Sequence, residues 1–297
     1  TICMPLTKDL SQLFRPSCQP HGFDKGGEGF FRYWNENELT LGWVIRKDTD
    51  SGKEYRPLTV WKAKDGEYFS KNEWWPTPMP LYIDKEYNLK SYQNDYLFIH
   101  EGEKTVQCAT GHTDDNIQYD NPNCDGIDTK FNAENADDPN SEEWVKYKWA
   151  YHKGLLHEFK SSTHITWPRG VTNWNKADWS FVNNHTWQKI ILMPDNDDAG
   201  IKAMKNIAEH LHDEYGLNNI YMFDVAATGF PKGWDIADLS HGFGLEHSRP
   251  DPNLLEEHRE VFDRVLQKSL EEPLDLHSRT DEWVYAVSYT HLTLPTK

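Results

Sequence analysis

The stretch Lys189-Ile190-Ile191-Leu192-Met193-Pro194-Asp195-Asn196-Asp197-Asp198-Ala199-Gly200 constrains this chain more than any other. A short apolar run ends in two carboxylates one residue apart, then Ala-Gly, then a segment with helical spacing. Such a run reads as a buried parallel strand. Strand alternation sends residues i and i+2 to the same side, which predicts that Asp195 and Asp197 face together at the strand's carboxyl end. Open α/β sheets bind their ligands at that end. Two neighbouring carboxylates repel unless a cation lies between them, and hard oxygen donors suit Mg²⁺ or Mn²⁺.

A second run, Tyr96-Leu97-Phe98-Ile99-His100, leads directly into Glu101-Gly102-Glu103-Lys104 and a helix-like segment over Lys104–Thr110 that stops at Gly111. Glu101 therefore also projects from a strand end. Strands of one polarity share one rim, so Glu101, Asp195 and Asp197 are expected to converge. Each has a simpler reading beside this one. Glu101 suits the first turn of a helix, where the dipole favours a carboxylate. Asp195 or Asp197 suits the N-cap of the helix expected over Asp198–Tyr215.

The pattern divides the chain. Residues 1–94 are predicted to form a β-rich subdomain. Its period-two runs are Phe30–Trp34, Leu39–Arg46 and Tyr55–Trp61, split by polar turns as in an antiparallel meander. The proline-rich Trp74–Tyr82 reads as an extended connector. Residues 95–245 alternate strand and helix, which implies a parallel sheet flanked by helices, an α/β domain. Its strands are expected at Tyr96–His100, near His164–Trp167, at Lys189–Met193 and at Asn219–Phe223, with a further short helix near Trp234–Ser240. Residues 112–145 are crowded with Asp, Glu and Asn and read as a solvated acidic insertion. Residues 246–286 have helical spacing from Pro252 to Leu270 and read as a linker toward a further domain. The last residues, 287–297, look like a translated sequencing adapter and are set apart from the fold. With Thr1 at the start, the chain reads as a piece of a longer protein.

Glu101-Gly102-Glu103-Lys104, Pro194-Asp195-Asn196-Asp197-Asp198-Ala199-Gly200 and Lys232-Gly233-Trp234-Asp235-Ile236-Ala237-Asp238, in this order, resemble the Toprim domain of phage-type primase and primase-helicase proteins. Trp167-Pro168-Arg169-Gly170-Val171 and Asp178-Trp179 fall between the acidic motifs, and the resemblance spans about residues 60–240. It implies Mg²⁺-dependent nucleotidyl transfer that makes a primer on single-stranded DNA from ribonucleoside triphosphates. Glu101, Asp195 and Asp197 would be catalytic and metal-binding, with Glu101 either a ligand or a proton shuttle. Asp235 falls where many Toprim domains carry a further acid, as a third-strand ligand or a cap. Lys104 is a candidate phosphate contact, or a solvated helix lysine. A replicative helicase domain or subunit is the implied partner. A Toprim-type nuclease and a catalytically inactive nucleic-acid-binding Toprim module are the alternatives.

Other readings fit less well. A haloacid-dehalogenase-type phosphatase shares the strand and Asp-x-Asp but usually has Thr or Val where Ala199 stands. An EF-hand loop needs an oxygen ligand at that position and Glu where Asn206 stands. No G-x-x-x-x-G-K-[ST] occurs. The net charge of −17 opposes general nucleic-acid binding, although Arg32, Arg46, Lys47, Lys53 and Arg56 cluster in the first half. Cys3, Cys18, Cys108 and Cys124 have neither zinc-site nor disulfide-framework spacing. With no apolar run near the ~20 residues a bilayer needs, the expectation is a cytoplasmic protein with no membrane partner.

Overall fold

The computed structural model describes residues 2–3, 22–23, 28–34, 40–49, 52–65, 68–83, 96–110, 159, 162–239 and 252–277. The acidic insertion expected over 112–145 and the terminal stretch 287–297 lie outside them.

Two sheets organise these residues. The first contains β1 (Ile2–Cys3), β2 (Gly22–Phe23), β3 (Glu28–Trp34), β4 (Thr40–Thr49), β5 (Gly52–Lys62) and β6 (Tyr68–Lys71). Every pairing in it is antiparallel, in the order β1-β5-β4-β3-β2, with β6 also on β5. This is the meander that the alternating runs predict.

The second sheet contains β7 (Tyr82–Ile83), β8 (Tyr96–His100), β9 (Thr163–Thr166), β10 (Lys189–Met193) and β11 (Ile220–Met222), in the order β11-β10-β8-β9-β7. β11, β10, β8 and β9 run parallel, and β7 closes the edge antiparallel to β9. The end of the proline-rich connector thus becomes a strand of this sheet.

Helices cover both faces. They are α1 (Glu103–Thr110), α2 (Ser180–Asn183), α3 (Asp198–Tyr215) and α4 (Pro252–Ser269). The parallel strands read as unbroken apolar runs because alternate residues feed two cores. Leu97, Ile99, Ile190 and Leu192 pack with Met204, Ile207 and Leu211 of α3. Phe98, Ile191 and Met193 pack on the opposite face with Ala109 of α1 and Phe262, Val265 and Leu266 of α4. The sequence predicts a linker helix within 246–286. Instead, α4 is a packed layer of this domain, since Phe262 and Leu266 are fully buried. Trp43 and Trp179 are core residues. Among the described residues, no helix is long and apolar enough to cross a membrane.

The two sheets meet through a third core. Phe31, Tyr33 and Val44 of the first sheet pack on Trp75, Met79, Tyr82 and Val106. Its polar centre is the fully buried Tyr33, whose hydroxyl donates to Oε1 of the buried Glu103 at 2.7 Å. Burial raises the Glu103 carboxyl, opposed by this hydrogen bond and by the nearby Arg46 charge. Tyr33→Phe will remove this donor from the buried carboxyl at a cost of about 1–3 kcal/mol. Denaturant unfolding checks this, and a change under a few tenths of a kcal/mol contradicts it.

Candidate functional site

The parallel register aligns the strand ends: Met193 pairs with His100, and Ile99 with Ile165. One residue beyond His100 stands Glu101, and two beyond Met193 stands Asp195. The carboxyl rim of the sheet therefore brings them together, and the Asp195 amide donates to Glu101 Oε1 at 2.8 Å.

The two aspartates are not held as sequence alternation suggests. β10 ends at Met193, so strand pleating does not orient the residues beyond it. Instead the Asp197 amide donates to the Asp195 carbonyl at 2.7 Å, an i-to-i+2 turn. Asp197 then serves as the N-cap of α3, its Oδ1 accepting from the Gly200 amide at 2.7 Å. The capping role considered for this pair thus falls to Asp197, a contribution of about 1 kcal/mol.

Gly200 is required here for space. A Cβ at this position would lie 2.0 Å from Glu101 Oε1 and 3.0 Å from the Asp195 carbonyl oxygen. The first turn of α3 approaches the rim so closely that no side chain fits between them.

Asp235 is not on a third strand. It follows β11 by a loop and opens the short 3-10 turn Ile236–Leu239. Its Oδ1 accepts from the Ala237 amide at 2.6 Å, while Asp238 Oδ2 accepts from the Asp235 amide at 3.1 Å. Asp235 is both a cap and a member of the acidic group, because its charge acts on Glu101 and Asp195.

Among the described hydrogen bonds, Glu101, Asp197 and Asp235 each engage one carboxylate oxygen with a backbone amide. The cost of the cluster shows in its protonation. Burial, reinforced by the Asp197 and Asp235 charges and opposed by the Asp195 amide, pushes the Glu101 carboxyl up to about 7. Burial pushes Asp195 up to about 9, with Glu101, Asp235 and Asp197 adding to the rise and Lys53 opposing it. Burial also raises Asp235, against the pull of Lys104 and Lys53.

Two cations thus face the acids. Lys104, on α1, is the one expected near the site. Lys53, on β5 of the first sheet, carries no signal in the sequence beyond the run of basic residues over 46–56. Asn196 is likewise missed by sequence reasoning, and its polar groups tie the acidic turn to the loop before Asp235. His210 and His212 are half-buried on α3; the His212 ring bonds the Leu217 carbonyl.

The raised carboxyls predict how the metal-free protein responds to alkali. Both groups bind protons more tightly folded than unfolded, where their ordinary values are 4.5 and 3.8. Their stabilising effect is complete below about pH 4 and is lost as pH climbs through about 7 and about 9. Buried His100, held well below 6.5 by desolvation, acts oppositely, but its contribution is already complete above its unfolded value. The melting temperature in chelator should fall between pH 7 and 9.5, and Asp195→Asn should flatten that slope. A wild-type curve that is flat or rises over this window contradicts the cluster.

Among the described residues, no group of three or more His, Cys, Asp or Glu side chains stands in ready-made metal coordination. The donor chemistry nevertheless fits a hard divalent cation. It consists of carboxylates only, and they hold protons because their charges are crowded and buried.

Comparison with known proteins finds a family model that matches part of the chain. Residues 155–239 match the family model described as Toprim-like. This segment contains Asp195, Asp197 and Asp235 and begins beyond Glu101. No curated protein matches the chain. One solved structure that matches is that of the bacteriophage T7 lagging-strand DNA polymerase interacting with primase domains of two gp4 subunits bound to an RNA/DNA hybrid and dTTP. The identity is 11% and the TM-score 0.36, over 83% of this chain and 78% of that one. A likeness at that level carries no weight for mechanism.

Proposed function

We propose, from the premise that this chain carries a Toprim domain, that it performs the metal-dependent nucleotidyl transfer of a primase, joining ribonucleotides on a single-stranded DNA template. The observation that carries this reading is the convergence of Glu101, Asp195, Asp197 and Asp235 at one carboxyl rim, faced by Lys53 and Lys104. Such a cluster is costly in an apoprotein and favourable around a divalent cation beside phosphates.

Asp195, Asp197 and Asp235 would hold Mg²⁺ or Mn²⁺, with Glu101 as a further ligand. The bound ion supplies charge neutralisation at a transferring phosphoryl group and favours a deprotonated attacking hydroxyl. The chain's own groups do the remaining work. Where Glu101 does not itself ligate the ion, its carboxylate would take the proton of the attacking hydroxyl. Lys104 and Lys53 would hold a nucleotide's phosphates against the rim. The Asp195 amide fixes the Glu101 carboxylate, so that it does not have to be ordered during reaction.

Primer synthesis tests the reading. The chain is given single-stranded DNA, ribonucleoside triphosphates and Mg²⁺, with chelator as the control. Metal-dependent RNA products that disappear in Asp195→Asn are expected. Cleavage of the DNA without synthesis would instead identify a Toprim-type nuclease. DNA binding with neither reaction would identify an inactive binding module, and either result would overturn the proposal.

A further inference from the structure

We infer that Asn196 is the positioning residue that delivers Asp235 to the metal site, an inference that rests on the proposed function of that site. Asn196 stands between the two aspartates of the acidic turn, and four of its hydrogen bonds reach one distant loop. Its amide donates to the Trp234 carbonyl at 2.8 Å, and its carbonyl accepts from the Gly233 amide at 2.8 Å. Its side-chain Nδ2 donates to the carbonyls of Phe230 at 2.8 Å and Pro231 at 3.0 Å. The loop so gripped, Phe230–Trp234, ends one residue before Asp235.

The need for this grip comes from the fold. Glu101 and Asp195 are set by paired strands in register, but Asp235 lies on a loop after β11 and has no strand to place it. Like charges also push it away, since burial and the neighbouring carboxylates disfavour its approach. A restraint that comes from the acidic turn itself fixes the distance between Asp235 and Asp195. The backbone pair at Gly233 and Trp234 is available to any residue type at this position, but the two side-chain bonds require a donor. Asn supplies both N–H groups of one amide to two successive carbonyls. Asp, of the same shape, presents oxygen to oxygen and repels the loop. The Phe230 and Trp234 rings pack at a tilt with centroids 4.5 Å apart, which ties the two ends of the gripped loop to each other.

A double-mutant cycle in the intact chain separates positioning from general damage. The probe is Mn²⁺ alone, with binding read by calorimetry and fold by circular dichroism. Asp195→Asn is measured first. If it leaves Mn²⁺ affinity unchanged, the proposed site itself is wrong. Given that Asp195→Asn weakens binding, Asp235→Ala and Asn196→Ala should each weaken it about tenfold. The double variant should be no weaker than Asp235→Ala alone, because Asn196 acts only through Asp235. Asn196→Asp should be at least as damaging as Asn196→Ala. Additive losses in the double variant, or an Asp235→Ala variant that binds Mn²⁺ normally, would overturn the assignment. If Asn196→Ala fails to fold, Asn196→Ser, with its short single donor, takes its place in the same cycle.

Discussion

Gly200→Ala will destabilise this protein by about 2–3 kcal/mol, despite placing a better helix former in the first turn of α3. Helix propensity alone favours alanine by up to about 1 kcal/mol. Against this stands a Cβ that would lie 2.0 Å from Glu101 Oε1, 2.9 Å from its Cδ and 3.0 Å from the Asp195 carbonyl oxygen. Glu101 is the only one of these groups able to swing aside. In doing so it gives up the hydrogen bond from the Asp195 amide, leaving a part-buried donor unmet at about 1–3 kcal/mol. The backbone contact adds overpacking of similar size. Thermal melts should show a midpoint lower by about 5 °C or more. The cause is separable, because Glu101→Ala already gives up that hydrogen bond, so adding Gly200→Ala to it should cost only the backbone overpacking, less than Gly200→Ala costs in wild type. A Gly200→Ala protein as stable as wild type means that the helix does not approach the rim this closely.

The parts of this arrangement visible in the sequence are those encoded locally. Tyr96–His100 and Lys189–Met193 are legible as strands because both faces of each are buried, leaving uninterrupted apolar runs. α3 is legible end to end: its cap, its apolar spacing and Gly216 beyond Tyr215 all lie within one segment. Glu101 and Asp195 follow directly from the strand ends that carry them. The hidden parts depend on partners far along the chain. Tyr33 and Glu103 look like an ordinary strand aromatic and a first-turn acid; only the contact between the sheets makes them a buried pair. Asn196 looks like the spacer of an acidic motif, since the loop that it grips lies more than thirty residues onward. The place of α4 is hidden for the same reason. Its apolar stripe is plain, but the sequence does not say which surface receives it.

Asp195→Asn will abolish metal-dependent synthesis while leaving the metal-free fold as stable as before or more so. The Asp195 carboxyl is raised to about 9 by burial and by Glu101, Asp235 and Asp197. At pH 9 and above the folded protein must hold that charge against three others, and an amide of the same shape removes the repulsion. The gain should be on the order of 2 kcal/mol there and should shrink toward pH 5, where the wild-type carboxyl is protonated in the folded state. The backbone amide that donates to Glu101 is unaffected, so the rim keeps its geometry. Metal binding changes in the opposite sense. The stabilisation that wild type gains from millimolar Mg²⁺ depends on its dissociation constant, and the variant should lose most of it. At the proposed phosphoryl-transfer site, loss of one ligand charge should lower synthesis at least about a hundredfold. Melting curves at pH 5 and pH 9, with Mg²⁺ and with chelator, together with primer synthesis on single-stranded DNA, test all three statements. A variant less stable than wild type at pH 9 in chelator would refute the repulsive cluster. A variant that still synthesises primers at the wild-type rate would move the catalytic centre away from this rim.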